Sequence, residues 1–336
     1  MLLNAGKLFL LSMLFLLSPS SWAQTDCESA GDVEFICGPA NAEDLVQVPD
    51  SNWIISSAMT ANTGFYLVNA TTGAWNPPVD MGLAHDMARY PLCPSPPDMN
   101  RLETHGLNIR ASGANQATLY AVAHGARESI EVYEVNTASG MPTLTWKGCV
   151  LMPDGLAANS VASFADSVAM RPTGAVFKWT PGENDFVLIE NTQLPGNNGI
   201  EVSADGSEIF VVSSGFQTIV AFSNSNPARQ LRTTKQLPIT PDNVHLGANG
   251  MLLTGGMKND VPACGGAPGP QHDLEALGSC PRGSIAIAVD PLTMADQVLA
   301  ETPAIPAFSN ATMVLDTGNR YWFGTFNGNR IAYVNK

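Results

Sequence analysis

The chain has 336 residues, 45% of them hydrophobic and only 14% charged, with 30 acidic against 16 basic side chains and a net charge of -14. That is enough apolar material for one large β domain or two smaller ones. An acidic chain without a basic cluster is a poor partner for nucleic acid or an anionic membrane surface, so both are excluded as expected partners.

The N-terminus reads as an export signal. Lys7 precedes the apolar run Leu8 to Leu17, and Ser21-Trp22-Ala23 places small residues where signal peptidase cuts. Residues 1–23 are therefore expected to be removed, leaving one domain over residues 24–336 in the periplasm or outside the cell. No later stretch reaches the ~18 apolar residues of a membrane span, and no lipobox precedes Cys27, so no membrane anchor is expected. The cysteines Cys27, Cys37, Cys93, Cys149, Cys264 and Cys280 are even in number, which in an exported chain implies disulfides. Closing local loops pairs Cys27 with Cys37, Cys93 with Cys149, and Cys264 with Cys280. No CxxC or Cys/His spacing points to zinc.

A short pattern then recurs along the chain: a polar residue, alternating apolar residues, a turn, and a second apolar strand. It begins at Glu43, His105, Asn159, Asn198, Asp242 and Asn310, which makes six copies. Further strands follow most copies, at Ile130 to Val135, Ala175 to Trp179, Thr218 to Phe222, Ser284 to Val289 and Arg330 to Val334. Hardly any helical periodicity intervenes. This is the pattern of an all-β, six-bladed β-propeller. Two irregular segments, 90–100 and 255–283, are expected as loops on the propeller faces.

The innermost strand of each propeller blade lines a central channel, so the six polar starts form a ring. Carboxylate and amide oxygens converging on one axis suit Ca²⁺, which takes about six to eight oxygens. The expected architecture is thus a propeller with a central calcium-binding channel. In "GNNGIEV" the ring residue is Asn198, while Asn197 is expected in a turn. His105 is the imidazole of the ring, and His124 ends the strand that pairs with the one following His105, so one can orient the other. His85, His245 and His272 read as structural. Asn69-Ala70-Thr71 and Asn310-Ala311-Thr312 fit glycosylation sequons.

The segments "AEDLVQVP", "THGLNI", "YAVAH", "NSVA", "NNGIEVSADGSEIFV" and "PDNVHL" together resemble the calcium-dependent paraoxonase/arylesterase family, with gluconolactonase and strictosidine-synthase-like propellers as wider relatives. The resemblance covers roughly residues 36–336. It implies a catalytic calcium held by Glu43, Asn159, Asn198, Asp242 and Asn243, a dyad in which His105 activates water and His124 orients it, and hydrolysis of small lactones or aryl esters. It also implies a structural calcium at Asp44 and the Leu107 carbonyl, but the remaining position is Ser160, which argues against that second ion. The family's disulfide between terminal strands has no counterpart, so the N-terminal strand Val33 to Ile36 is expected to close the ring. Two other functions remain open: a noncatalytic, calcium-stabilised binding propeller, and a gluconolactonase-like sugar-lactone hydrolase that needs no histidine dyad.

Overall fold

The computed structural model describes residues 27–76, 81–163, 168–172, 174–259, 261–264, 266 and 280–336. The expected signal segment and His272 lie outside these residues. The N-terminal strand β1 (Val33–Cys37) is followed by a first blade of β2 (Leu45–Gln47), β3 (Trp53–Ser57), β4 (Phe65–Asn69) and β5 (Trp75–Asn76). The second blade runs β7 (Glu103–Gly113), β8 (Gln116–His124), β9 (Ser129–Asn136) and β10 (Thr143–Leu151), with β6 (Gly82–Leu83) added parallel to β10. The third contains β11 (Ala158–Ser163), β12 (Val168–Pro172), β13 (Val176–Trp179) and β14 (Val187–Ile189). The fourth contains β15 (Asn197–Val202), β16 (Glu208–Ser213), β17 (Thr218–Ser223) and β18 (Gln230–Thr233). The fifth contains β19 (Ile239–Leu246), β20 (Leu252–Lys258), β21 (Ser284–Val289) and β22 (Asp296–Thr302). The last is β23 (Ala311–Asp316), β24 (Arg320–Thr325) and β25 (Arg330–Asn335), with β1 as its outermost strand.

These six sheets form the expected propeller. Successive first strands β2, β7, β11, β15, β19 and β23 lie against one another, and β23 returns to β2. The ring closes through β1, which pairs antiparallel with β25 from Val33 opposite Val334 to Cys37 opposite Arg330. All three expected disulfides are present. Among the described residues the only helical element is a 3-10 turn at Pro262–Cys264, and no helix is long and apolar enough to cross a membrane.

Local chemistry explains the hairpins. Between β15 and β16, Asp205 accepts hydrogen bonds from the Ser203 hydroxyl and from the amide and hydroxyl of Ser207, while Gly206 adopts a φ of 72°. The Ser203 hydroxyl, followed by Ser207, holds the Asp205 carboxyl down to about 2. Blades are covered on both faces, so β8 buries Leu119 to Ala123 consecutively where simple alternation would expose every second residue. Each such Leu or Val contributes about 1.5–3 kcal/mol.

The irregular segment 90–100 is largely exposed, as expected of a surface loop, and is anchored by buried side chains. Tyr90 and Cys93 are buried, and Tyr90 stacks on Trp179 with ring centroids 5.8 Å apart. Gly148 makes room for that ring, since a Cβ there would lie 2.5 Å from Tyr90 Cδ2. Most of the second segment lies outside the described residues; near its end the buried Arg282 donates to the carbonyls of Lys258 and Asn259, both at 3.1 Å.

Candidate metal and catalytic centre

The six polar starts stand where the inner strands begin. In five blades a register shift falls on or beside that position, at Thr104/Leu107, Ala158/Val161, Asn197/Ile200, Pro241/Val244 and Ala311/Met313. A bulge leaves an extra residue out of the ladder and re-aims its neighbours. The doubled polar letters in "NN" and "DN" were the only hint of this in the sequence. Glycine permits the ring to be tight. A Cβ on Gly106 would lie 2.6 Å from Ser160 Cα, and one on Gly199 would lie 2.6 Å from the Asp242 carbonyl oxygen. Asn197 corrects the turn expectation: it is the first residue of β15, paired with Ser213, and is only 2% exposed.

Glu43 and Asn243 are buried, whereas His105, Asn159, Asn198 and Asp242 are partly exposed and open the ring to solvent. Asn243 Nδ2 donates to Glu43 Oε1 at 2.6 Å, a bond that joins the first and fifth blades. It also fixes the Asn243 amide, leaving its oxygen for another purpose. Glu43 Oε2, Asn159 Oδ1 and Asn243 Oδ1 are buried without a hydrogen-bond partner. Leaving a buried acceptor unmet costs about 1–3 kcal/mol, more when charged. These unmet atoms are all oxygens, which is the donor chemistry of a hard cation such as Ca²⁺. Among the described residues no three His, Cys, Asp or Glu side chains are placed to hold a metal, so a cation here depends on the asparagine amides.

Beside these oxygens runs a chain of proton-carrying groups. His105 Nδ1 lies 3.2 Å from His124 Nε2, and His124 Nδ1 lies 2.7 Å from Glu128 Oε2. Glu103 pairs with His124 in the ladder, and the bulge after Thr104 brings His105 back to the same imidazole. An ionised Glu128 can only accept, so His124 carries its proton on Nδ1 and offers the Nε2 lone pair to His105 Nδ1–H. The His105 Nε2 lone pair then faces the ring, 3.7 Å from Glu43 Oε1. Burial opposes protonation of His105, but Glu43, with Asp242 and Asp44 adding to it, outweighs burial and raises its pKa above the ordinary value. A cation on Glu43 would remove much of that pull and return His105 toward the neutral base. Glu128, four residues beyond His124, was not singled out in the sequence because nothing in the strand pattern marks a carboxylate in the β8–β9 turn.

Asp44 belongs to a different network. It is fully buried, and its Oδ1 accepts from Leu45 N at 2.9 Å and His245 Nε2 at 2.7 Å, while Oδ2 accepts from Leu107 N at 2.7 Å. Burial disfavours charge on His245, but Asp44 more than compensates and raises its pKa. Asp44, to which the resemblance assigns a structural ion, thus has an imidazole that can carry positive charge as its partner, and Leu107 offers it an N–H; these residues do not fit that ion. A cavity of about 650 Å³ opens at the opposite ends of the inner strands, lined by Gln47, Asn108, Arg110, Glu201 and His245 among others. None of the ring oxygens borders it. There Arg110 pairs with the buried Glu201 at 2.7 Å.

No protein-family model matches this chain, and no curated protein matches it. Solved structures do. A gluconolactonase from Xanthomonas campestris superposes with a TM-score of 0.54 at 13% identity, covering 90% of this chain and 89% of its own. A luciferin-regenerating enzyme gives 0.54 at 10% identity over 90% and 95% of the two chains. Virginiamycin B lyase from Staphylococcus aureus gives 0.50 at 12% identity over 90% and 99%. The likeness is one of fold. Gluconolactonase-like propellers are thus the structural neighbours of this chain, and neighbours with such different chemistries show that the site must be argued from its own residues.

Proposed function

We propose that the protein is an exported, calcium-dependent hydrolase of lactones or aryl esters, of the kind found in the paraoxonase/arylesterase family. The observation that carries this is the juxtaposition of unmet, buried oxygens on Glu43, Asn159 and Asn243 with the base end of a Glu128–His124–His105 chain. Asn198 and Asp242 complete the proposed ligand set. Three disulfides favour an oxidising compartment, in keeping with export.

Bound calcium would supply charge against the substrate carbonyl oxygen and so lower the cost of the oxyanion. His105 Nε2 removes a proton from water as the water oxygen bonds to the carbonyl carbon and the C=O electron pair moves onto oxygen. His124 holds the rotamer and tautomer of His105 throughout, and Glu128 holds those of His124. Collapse re-forms the carbonyl, breaks the bond to the leaving oxygen, and returns the proton from His105 to it, giving a hydroxy acid or a phenol and an acid. The gluconolactonase neighbour is in keeping with lactones as the first substrates to try.

The test is hydrolysis of a panel of lactones and phenyl esters before and after chelation, with calcium restored. Activity is expected only in the calcium-loaded protein, and His105→Gln is expected to lower turnover by at least about 100-fold while the protein stays folded. Full activity after metal stripping, or none on any substrate with calcium present, would overturn the proposal. Inactivity of the His105 variant on every substrate also separates it from a sugar-lactone enzyme that works without the dyad.

A further inference from the structure

Asn310 occupies the ring position of the last blade yet has no part in the ligand set or the dyad proposed above. It is 0% exposed, and neither its Oδ1 nor its Nδ2 has a hydrogen-bond partner. Its backbone sits in the left-handed region at a φ of 58°, a conformation Asn tolerates better than most residues but one that needs a reason. The surrounding bonds supply its location. Thr312 Oγ1 donates to the Glu43 carbonyl at 2.5 Å, Thr325 N donates to the Ala42 carbonyl at 2.8 Å, and Thr325 Oγ1 donates to the Asn310 carbonyl at 3.2 Å. The start of β23 is thereby stitched to the stretch that presents Glu43. Complete burial also removes Asn310 from consideration as a glycosylation site, despite its sequon.

The chemistry of the unmet atoms distinguishes Asn310 from its neighbours. Those of Glu43, Asn159 and Asn243 are oxygens, which a cation can satisfy. Asn310 adds an N–H group, and no cation can satisfy a donor. Exchanging the amide oxygen and nitrogen does not change this, because either assignment leaves one donor and one acceptor. Within the folded chain this donor meets no oxygen, so an oxygen-bearing molecule that enters the ring, water or substrate, would complete it.

We propose that Asn310 is the protein's hydrogen-bond donor to the carbonyl oxygen of the bound lactone or ester, strengthening that bond as the oxygen becomes an oxyanion, while its amide oxygen faces the cation. This rests on the hydrolase function proposed above. In the ligand-free protein the amide is a liability, which is the signature of a group kept for function.

Two substitutions that suit the left-handed backbone test it. Asn310→Gly removes both unmet atoms, and the melting temperature of the calcium-free protein is expected to stay level or rise, while calcium affinity measured by calorimetry falls several-fold. Asn310→Asp keeps oxygen and loses the donor: calcium affinity is expected to hold or increase, whereas kcat/KM falls about 100-fold. Wild-type kcat/KM in Asn310→Asp would overturn the donor role. A lowered melting temperature with unchanged calcium affinity in Asn310→Gly would make Asn310 a structural turn residue and overturn the inference as well. Both results require a wild-type protein that binds calcium and hydrolyses a substrate; failure of the wild type to do so overturns the hydrolase function itself and this inference with it.

Discussion

Replacing Gly199 with alanine should damage the candidate cation site through the backbone alone. The added Cβ would lie 2.6 Å from both the Asp242 carbonyl oxygen and Val244 N, and 2.7 Å from Asn243 Cα. Ordinary contact begins near 3.4 Å, so the fourth and fifth blades must separate by about 0.8 Å at this point. The obstructing atoms are backbone at the bulge of β19 and cannot swing aside as a side chain would. Forcing such a group into a packed interface costs about 1–3 kcal/mol, a fall of about 2–6 °C in melting temperature for a protein of this size. The same displacement exceeds the tolerance of about 0.2 Å within which ligands hold a metal. Calcium affinity is therefore expected to drop by at least about 10-fold, a loss of 1.4 kcal/mol or more. Calorimetric titration with calcium and a thermal melt of the calcium-free protein would be run alongside Gly113→Ala, where the added Cβ meets only the flexible Gln116 side chain. Affinity within twofold of wild type in Gly199→Ala, together with an unchanged melt, would refute the claim that close approach of these blades sets the ring geometry.

Glu128→Gln should lower kcat by about 10-fold or more, because an amide no longer compels His124 to carry its proton on Nδ1; the side chain is 40% exposed, so the melting temperature should hardly move, and steady-state kinetics with a thermal melt checks both. His245 has a raised pKa in the folded protein, so its contribution to stability is complete below the unfolded value of about 6.5 and is lost as pH rises through the higher folded value. Calcium-free protein should accordingly melt lower as pH rises through that window, and His245→Gln should flatten the dependence; an unchanged slope in the variant would assign it to another group. Converting Cys93 and Cys149 together to serine opens a loop spanning 56 residues. The loop-entropy relation gives a destabilisation of about 4 kcal/mol, to be read from urea denaturation under non-reducing conditions.

Much of this molecule was legible before folding. Six polar starts, each leading into alternating strands, specify blades, because a strand whose neighbours are hydrogen-bonded and whose faces are covered must be short, apolar and repeated. Local loop closure was sufficient to pair the cysteines. His105 and His124 could be matched because a hairpin relates residues by simple counting, and the structure does bring their rings within hydrogen-bond distance. Counting failed where the ladder slips. Asn197, expected in a turn, is instead paired and buried at the start of β15 beside a bulge, and no alternation rule predicts that.

Only the tertiary structure decided the contacts between blades far apart in sequence. Asn243 reaches Glu43 across 200 positions and His245 reaches Asp44 across 201, and no local pattern encodes either bond. These contacts determine which polar atoms are satisfied and which are not. The sequence by itself therefore established the repeat, the ring of oxygen-bearing residues and the histidine pair, since these follow from periodicity and residue chemistry. The partner of each buried atom, the pairing of Asp44 with His245, and the unmet amide of Asn310 follow from closure of the ring, which places the first blade against the last.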